Sequence, residues 1–196
     1  GALSRPGTPL EIPAIGEWSR DGKAMAILVE RMRGSISGYV PVALQITIDR
    51  CDPFAPVVLN GVTIPEDKIT RTAGGCVTKI DLQWMSLADP NCLDGIDAQA
   101  SSLQELILYH NSLASVDLTD LGRCKLLKRI DARYNGMQTI DLAPLSGCTN
   151  LEKLDLDGNQ LSSLDLLPLA ACTKFRELWI RDNQIVGLDL TPLAVG

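Results

Sequence analysis

The sequence predicts an α/β solenoid, with short parallel strands stacked into a curved sheet and helical turns carrying the chain back behind it. Three observations lead there. Four asparagines, Asn111, Asn135, Asn159 and Asn183, stand 24 residues apart. The residues before them keep one phase: LQELILYHN, LKRIDARYN, LEKLDLDGN and FRELWIRDN. After them a D-L-x-P-L-x-x-C pattern recurs, with Pro144, Pro168 and Pro192 at one position and Cys124, Cys148 and Cys172 at another. A fixed period in the twenties marks a repeat architecture, and one such unit cannot bury its own apolar face without neighbours on either side.

Each element has a local reason. In the L-x-L core of each repeat, side chains alternate between faces, so Leu106 and Leu108, Ile130 and Ala132, Leu154 and Leu156, Leu178 and Ile180 are expected to point inward. The second apolar set, Val116, Leu118 and Leu121 with its copies, closes the core from behind. The prolines suit the start of a helical turn, where no backbone N–H is needed. This L-x-x-L-x-L-x-x-N pattern resembles the leucine-rich repeat family, which implies a curved, parallel, concave sheet. The resemblance also implies that Asn111, Asn135, Asn159 and Asn183 form a structural ladder. A buried carboxamide offers donors and an acceptor to the backbone groups stranded where each strand ends. Each Asn→Ala change is expected to cost ~1–3 kcal/mol.

Upstream, residues 1–18 read as a Pro- and Gly-rich lead-in. Ser19 suits a helix N-cap, and Met25, Leu28, Val29 and Met32 fall on one face of a helix over about 20–33. Residues 40–48 alternate as a half-buried strand, and Asn60-Gly61 predicts a hairpin over Val57–Ile64. Residues 1–75 are thus expected to form a helix-plus-β-hairpin cap, and 76–196 the solenoid. GGCVTKIDL, residues 74–82, resembles the point at which plant-type and bacterial leucine-rich repeat proteins enter their first repeat. The L-x-G-x-I-P signature of plant repeats is absent. Counting back one period places the entry strand at Asp81–Met85, with Leu82 and Trp84 inward and Leu87 where an Asn is expected. An irregular loop then precedes four regular repeats at 103–196.

Composition narrows the function. No apolar run approaches the ~20 residues of a membrane-spanning helix. The net charge of −6 arises entirely beyond residue 75, where 16 acidic residues face 10 basic ones. That excludes the basic face a nucleic acid requires. No nucleophile–base pair, phosphate loop or metal-ligand spacing is present, and the single histidine is His110. The chain is therefore expected to be no enzyme and to use no cofactor or metal. Asp89, Asp94 and Asp97 do not match an EF-hand loop and read as a solvated one. Asp117, Asp141, Asp165 and Asp189 form a second ladder, expected to accept backbone N–H bonds at the turns. Cys124, Cys148 and Cys172 read as buried thiols in register, with Cys76 two periods upstream, and favour a cytoplasmic compartment. A pair among Cys51, Cys76 and Cys92 stays open.

What remains is a protein-binding module. Outward strand positions should align as columns across the concave face. One runs Gln83, Ile107, Asp131, Asp155, Trp179, and the next Met85, Tyr109, Arg133, Asp157, Arg181, with His110 and Tyr134 at the edge. Aromatic and Arg side chains are the types enriched in binding hot spots. The expected partner is another protein, presenting a basic or mixed surface to Asp131, Asp155 and Asp157. Replacing Tyr109, Arg133 and Trp179 by Ala should weaken that binding and leave stability nearly unchanged. A second reading makes the chain a regulatory or recognition region of a larger enzyme or receptor. The sequence stops at Leu193-Ala-Val-Gly196, inside the fourth regular repeat, which predicts a longer parent protein or end-to-end self-association.

Overall fold

The computed structural model describes residues 51–194. The described residues all belong to one compact unit. The expected helix over 20–33 and the strand over 40–48 lie outside the described residues.

Strands β1 (Val58–Leu59) and β2 (Val62–Thr63) form an antiparallel hairpin. Its turn residues Asn60 and Gly61 both have positive φ, 46° and 74°, as the right-handed twist of a two-residue hairpin demands. Asn60 Nδ2 donates to the Asp89 carboxylate at 2.9 Å, and its backbone N–H donates to Asp94 O at 2.8 Å, tying the turn to the loop of the entry repeat. Asp97 of the same loop pairs with Arg123 at 2.9 Å.

A six-stranded sheet follows in the order β3 (Ile69–Arg71), β4 (Val77–Asp81), β5 (Glu105–Ile107), β6 (Arg129–Asp131), β7 (Lys153–Asp155) and β8 (Glu177–Trp179). From β4 onward all pairing is parallel, while β3 runs antiparallel to β4 and closes that edge of the sheet. Nothing in the repeat pattern announces β3, because it belongs to a local hairpin rather than to the period.

Pairing of β4 with β5 aligns Asp81 with Ile107, an offset of 26 residues, whereas the later strands align at 24. The entry repeat is thus two residues longer than the others. Its strand is Val77–Asp81, not Asp81–Met85, and Ile80 and Leu82 are the buried pair equivalent to Leu106 and Leu108. Trp84, expected inward, stands 61% exposed. Met85, not Leu87, takes the Asn position. Counting back a fixed period lands two residues late because the extra length sits in the loop after the strand.

Behind the sheet, 3-10 turns at Thr119–Arg123, Ala143–Gly147, Leu167–Ala171 and Thr191–Leu193 stack in sequence. Each begins with a local bond in which the Asp two residues earlier accepts a backbone N–H: Thr119 to Asp117, Ala143 to Asp141, Leu167 to Asp165 and Thr191 to Asp189, at 2.8–2.9 Å. The carboxylate ladder therefore shapes its own turns, and the exposed side chains leave like charges screened by water. Cys148 and Cys172 are buried, and their Sγ–H groups donate to Leu121 O and Leu145 O of the preceding repeat. Burial pushes the Cys124 thiol up to about 11 and that of Cys148 up to about 12, which keeps both uncharged. Gly147 lies directly against the backbone of Gly122, so any Cβ there would overlap a carbonyl that cannot move aside. Cys76, which counting places in this thiol column, is instead bonded to Cys51.

Leucines and their equivalents fill the space between sheet and turns. Leu103, Leu106, Leu108, Leu113, Leu121, Leu127, Leu145, Leu151, Leu154, Leu156 and Leu161 are all fully buried. No helix among the described residues is long and apolar enough to cross a membrane.

Candidate functional site

At the end of each strand from β5 to β8 an asparagine binds two repeats together. Asn111 Nδ2 donates to Leu108 O of its own strand and to Leu82 O of the previous repeat, both at 2.9 Å. Its Oδ1 accepts from the backbone N–H groups of Met85 and Leu87, both at 3.0 Å. Asn135, Asn159 and Asn183 repeat the scheme: Nδ2 to Ala132, Leu156 and Ile180 of their own strands and to Leu108, Ala132 and Leu156 one repeat back. Each Oδ1 accepts from Leu113, Met137 or Leu161 respectively. The bond from Asn to the residue three earlier bends the chain sharply. In consequence the residue before the Asn takes the left-handed conformation: φ is 57° at His110, 51° at Tyr134, 67° at Gly158 and 55° at Asp182. Trp84 occupies the same place in the entry repeat, with φ 60°.

Those positions form an aromatic column at one rim of the sheet. The Trp84 and His110 rings stack at 3.5 Å between centroids, 20° from parallel. Tyr134 continues the column 6.4 Å beyond His110, tilted by 32°. Tyr109 stands nearly perpendicular to Trp84 and Tyr134, 5.8 Å from each. The column ends on Gly158, whose missing side chain makes room for Tyr134: a Cβ there would come within 2.6 Å of Tyr134 Cδ1. Gly158→Ala should therefore destabilise the protein by about 1–2 kcal/mol, from left-handed strain plus the displaced ring. Urea unfolding measures it, and a neutral substitution would show that the ring is not seated there.

Across the middle of the sheet the columns are Asp81, Ile107, Asp131, Asp155, Trp179 and Gln83, Tyr109, Arg133, Asp157, Arg181. Gln83 and Met85 thus lose the places expected for them, through the two-residue offset of the entry strand. A larger correction concerns the carboxylates. Asp131, Asp155 and Asp157 are 2%, 4% and 4% exposed, and Ile107 is buried beside them, so none of the four is displayed. They lie under the long side chains of flanking columns, whose stems cover them while the charged heads stay wet.

Asp131 is held by Arg129 at 2.9 Å and by Arg133, whose Nε and Nη2 reach its two oxygens at 2.9 and 2.7 Å. Arg133 also approaches Asp155 at 3.4 Å and lies over the Tyr109 ring at 5.1 Å. These bonds raise the Arg133 guanidinium further above its ordinary range, the hydrogen bond to Asp131 most of all. Asp157 accepts from Arg181 Nε at 2.9 Å and from its backbone N–H at 2.6 Å. Asp155 is the poorly served member: burial raises its pKa, and the lowering by the Asp157 N–H and Arg133 does not offset that. Trp179 is flanked by Lys153 at 5.0 Å and Arg181 at 4.8 Å, both over its ring.

The outward surface accordingly has two halves, an aromatic one built on Trp84, Tyr109, His110 and Tyr134, and one of paired charges around Trp179, where Lys153 meets Glu177 and Arg181 meets Asp157. Sequence reasoning named all of these except Trp84. The 26-residue offset hides it, although its place at the His110 position shows once the strands are aligned. His110 contacts the rings of Trp84, Tyr109 and Tyr134.

A leucine rich repeat family model matches residues 101–161, and a second, of two leucine rich repeat copies, matches residues 149–194. Among solved structures, internalin C2 of Listeria monocytogenes is 30% identical with a TM-score of 0.47, covering 63% of this chain and 50% of that one. A chain of the Drosophila melanogaster SNF/U2A′ complex is 24% identical with a TM-score of 0.46, covering 60% and 64%. The Arabidopsis receptor kinase HAESA, in complex with the peptide hormone IDA and the co-receptor SERK1, is 23% identical with a TM-score of 0.41, covering 60% and 24%. The chain spans less than two thirds of the length of each. No curated protein matches. The 24-residue period, the parallel sheet and thiol-lined turns built from it, and the two family matches together make this chain a leucine-rich repeat protein.

Proposed function

We propose that the chain binds another protein through the open face of its sheet, with the aromatic half as the anchor. Leucine-rich repeat domains are in general protein-interaction modules. The observation that carries the finer reading is the exposed ring cluster: Trp84 is 61% and Tyr134 47% exposed, in contact with Tyr109 and His110. Large apolar rings gathered on a surface, beside fixed Arg side chains, are the composition of a hot spot. Because Asp131, Asp155 and Asp157 are covered, a partner would meet guanidinium groups and rings first. That favours a mixed or acidic partner surface over a basic one.

The binding experiment needs residues without a structural task. Arg133 has one, so Trp84, Tyr109 and Trp179 are the better set. Replacing all three by Ala should weaken a partner captured by affinity chromatography by more than ~2 kcal/mol, read by calorimetry, while the melting temperature moves little. Undiminished affinity would place the site elsewhere. A regulatory or recognition region of a larger enzyme or receptor would use the same face, and end-to-end self-association would leave this result unchanged.

The Cys51–Cys76 disulfide supports an oxidising compartment rather than the cytoplasmic one inferred from the thiol column. Uncharged, buried thiols at Cys92, Cys124, Cys148 and Cys172 are inert and compatible with either. Alkylation of the unfolded protein before and after reduction, followed by mass spectrometry, should find two cysteines, Cys51 and Cys76, that react only after reduction. Protection of none would return the chain to a reducing compartment.

A further inference from the structure

We propose that the aromatic column receives a proline-rich segment in the polyproline II conformation, laid across the strands. This rests on the reading of the sheet face as the binding surface and names the chemistry of its occupant.

Geometry selects the conformation. Trp84, His110 and Tyr134 share one left-handed position on successive repeats, so their backbones recur at the sheet's own spacing, while their ring centroids lie 3.5 and 6.4 Å apart. Trp84 and Tyr134, two repeats apart, are separated by about 9.6 Å along the stack, twice the inter-strand distance. A polyproline II helix has three residues per turn and rises ~3.1 Å per residue, so residues on one side recur every ~9.3 Å. The two periods agree to within about 0.3 Å per turn. A β-strand laid the same way presents one side every ~6.8 Å, and an α-helix every ~5.4 Å, and neither keeps phase with the rings.

The surface chemistry agrees. Rings near-parallel at 20° and 32°, with Tyr109 standing across them at 85° and 83°, make an apolar trough with one upright wall. Pyrrolidine rings dock in grooves lined by aromatic side chains of this kind. Inside the sheet the strands spend their backbone N–H and C=O groups on one another, so a segment laid across the face finds no ladder to join; among the described residues only the β3 and β8 edges are open. Polyproline II asks for none, having no internal hydrogen bonds and no proline N–H to satisfy. Its carbonyls need donors, and indole N–H and phenol O–H groups at a rim supply them.

The test uses the full chain and a fluorescein-labelled nonaproline peptide, read by fluorescence anisotropy beside a Gly-Ser nonapeptide. Saturable binding of nonaproline alone is expected. It should weaken at least tenfold in Trp84→Ala and in Tyr134→Ala, and persist in Trp179→Ala, with melting curves confirming that each variant is folded. No binding of nonaproline, or binding that both ring variants leave unchanged, overturns the proposal. Panning a random nonapeptide library separates the two readings. If selected peptides lack proline yet lose affinity in Trp84→Ala, the site stands and the proline assignment falls. If their affinity ignores Trp84, Tyr109 and Trp179 alike, the site itself falls.

Discussion

Asn111→Ala should lower stability by about 3–4 kcal/mol, the largest effect expected of any one ladder residue. Its carboxamide is buried and makes four bonds, two of them to backbone N–H groups of the entry repeat. Removing it strands Met85 N–H, Leu87 N–H and Leu82 O at once, while Leu108 O keeps its bond from Asn135, and each buried group left unpaired costs about 1–3 kcal/mol before water or relaxation recovers part of it. Met85 holds the equivalent place one repeat earlier and brings no carboxamide, so the entry repeat has no ladder bond of its own to fall back on. Asn183→Ala should cost less, because its surroundings are only half-buried. Each of the two carboxamides makes four bonds, so denaturant unfolding of the two variants isolates the effect of burial, and equal losses would contradict it.

Arg133→Met should cost about 2–3 kcal/mol at neutral pH, since breaking an ion pair strands its buried partner. The figure is below that of a fully buried pair because the Arg133 side chain is 34% exposed and Arg129 still holds Asp131. The loss should shrink on acidification, as the stranded carboxylates take up protons. Asp155 gives the complementary experiment. Its folded pKa is raised, so the native state binds its proton more readily than the unfolded chain does. Ionised Asp155 therefore destabilises the fold above its folded pKa, and the penalty disappears as pH falls below the unfolded value. Asp155→Asn should raise the melting temperature at pH 7, and the advantage should vanish near pH 3. A gain that grows toward acid would reverse the sign and refute the assignment.

Much of the fold was legible because a period repeats its own evidence. Leu106, Ile130, Leu154 and Leu178 each say the same thing, and the Asn-Gly hairpin announces itself locally. What the period could not show lay where it breaks. Two extra residues in the entry repeat moved Trp84 from an expected core place to the rim, and β3 has no counterpart to be aligned with. The site was legible as a list of residues but not as a surface. Alternation puts Asp131, Asp155 and Asp157 on the outward face correctly, yet says nothing of the Arg129, Arg133 and Arg181 stems that roof them. Facing outward and being accessible differ when long side chains stand on both sides.

The left-handed residue before each Asn has a consequence for how such a surface changes over generations. A non-glycine side chain in that conformation ordinarily carries a penalty of roughly 1–2 kcal/mol. Here the ladder fixes the backbone whatever stands there, as His110, Tyr134, Gly158 and Asp182 attest, and Trp84 takes the same conformation ahead of Met85. Stability and surface chemistry are thereby placed on adjacent residues with separate duties. An indole, an imidazole, a phenol, a hydrogen and a carboxylate all occupy equivalent places on one scaffold. Selection can rewrite that column, one repeat at a time, without renegotiating the core.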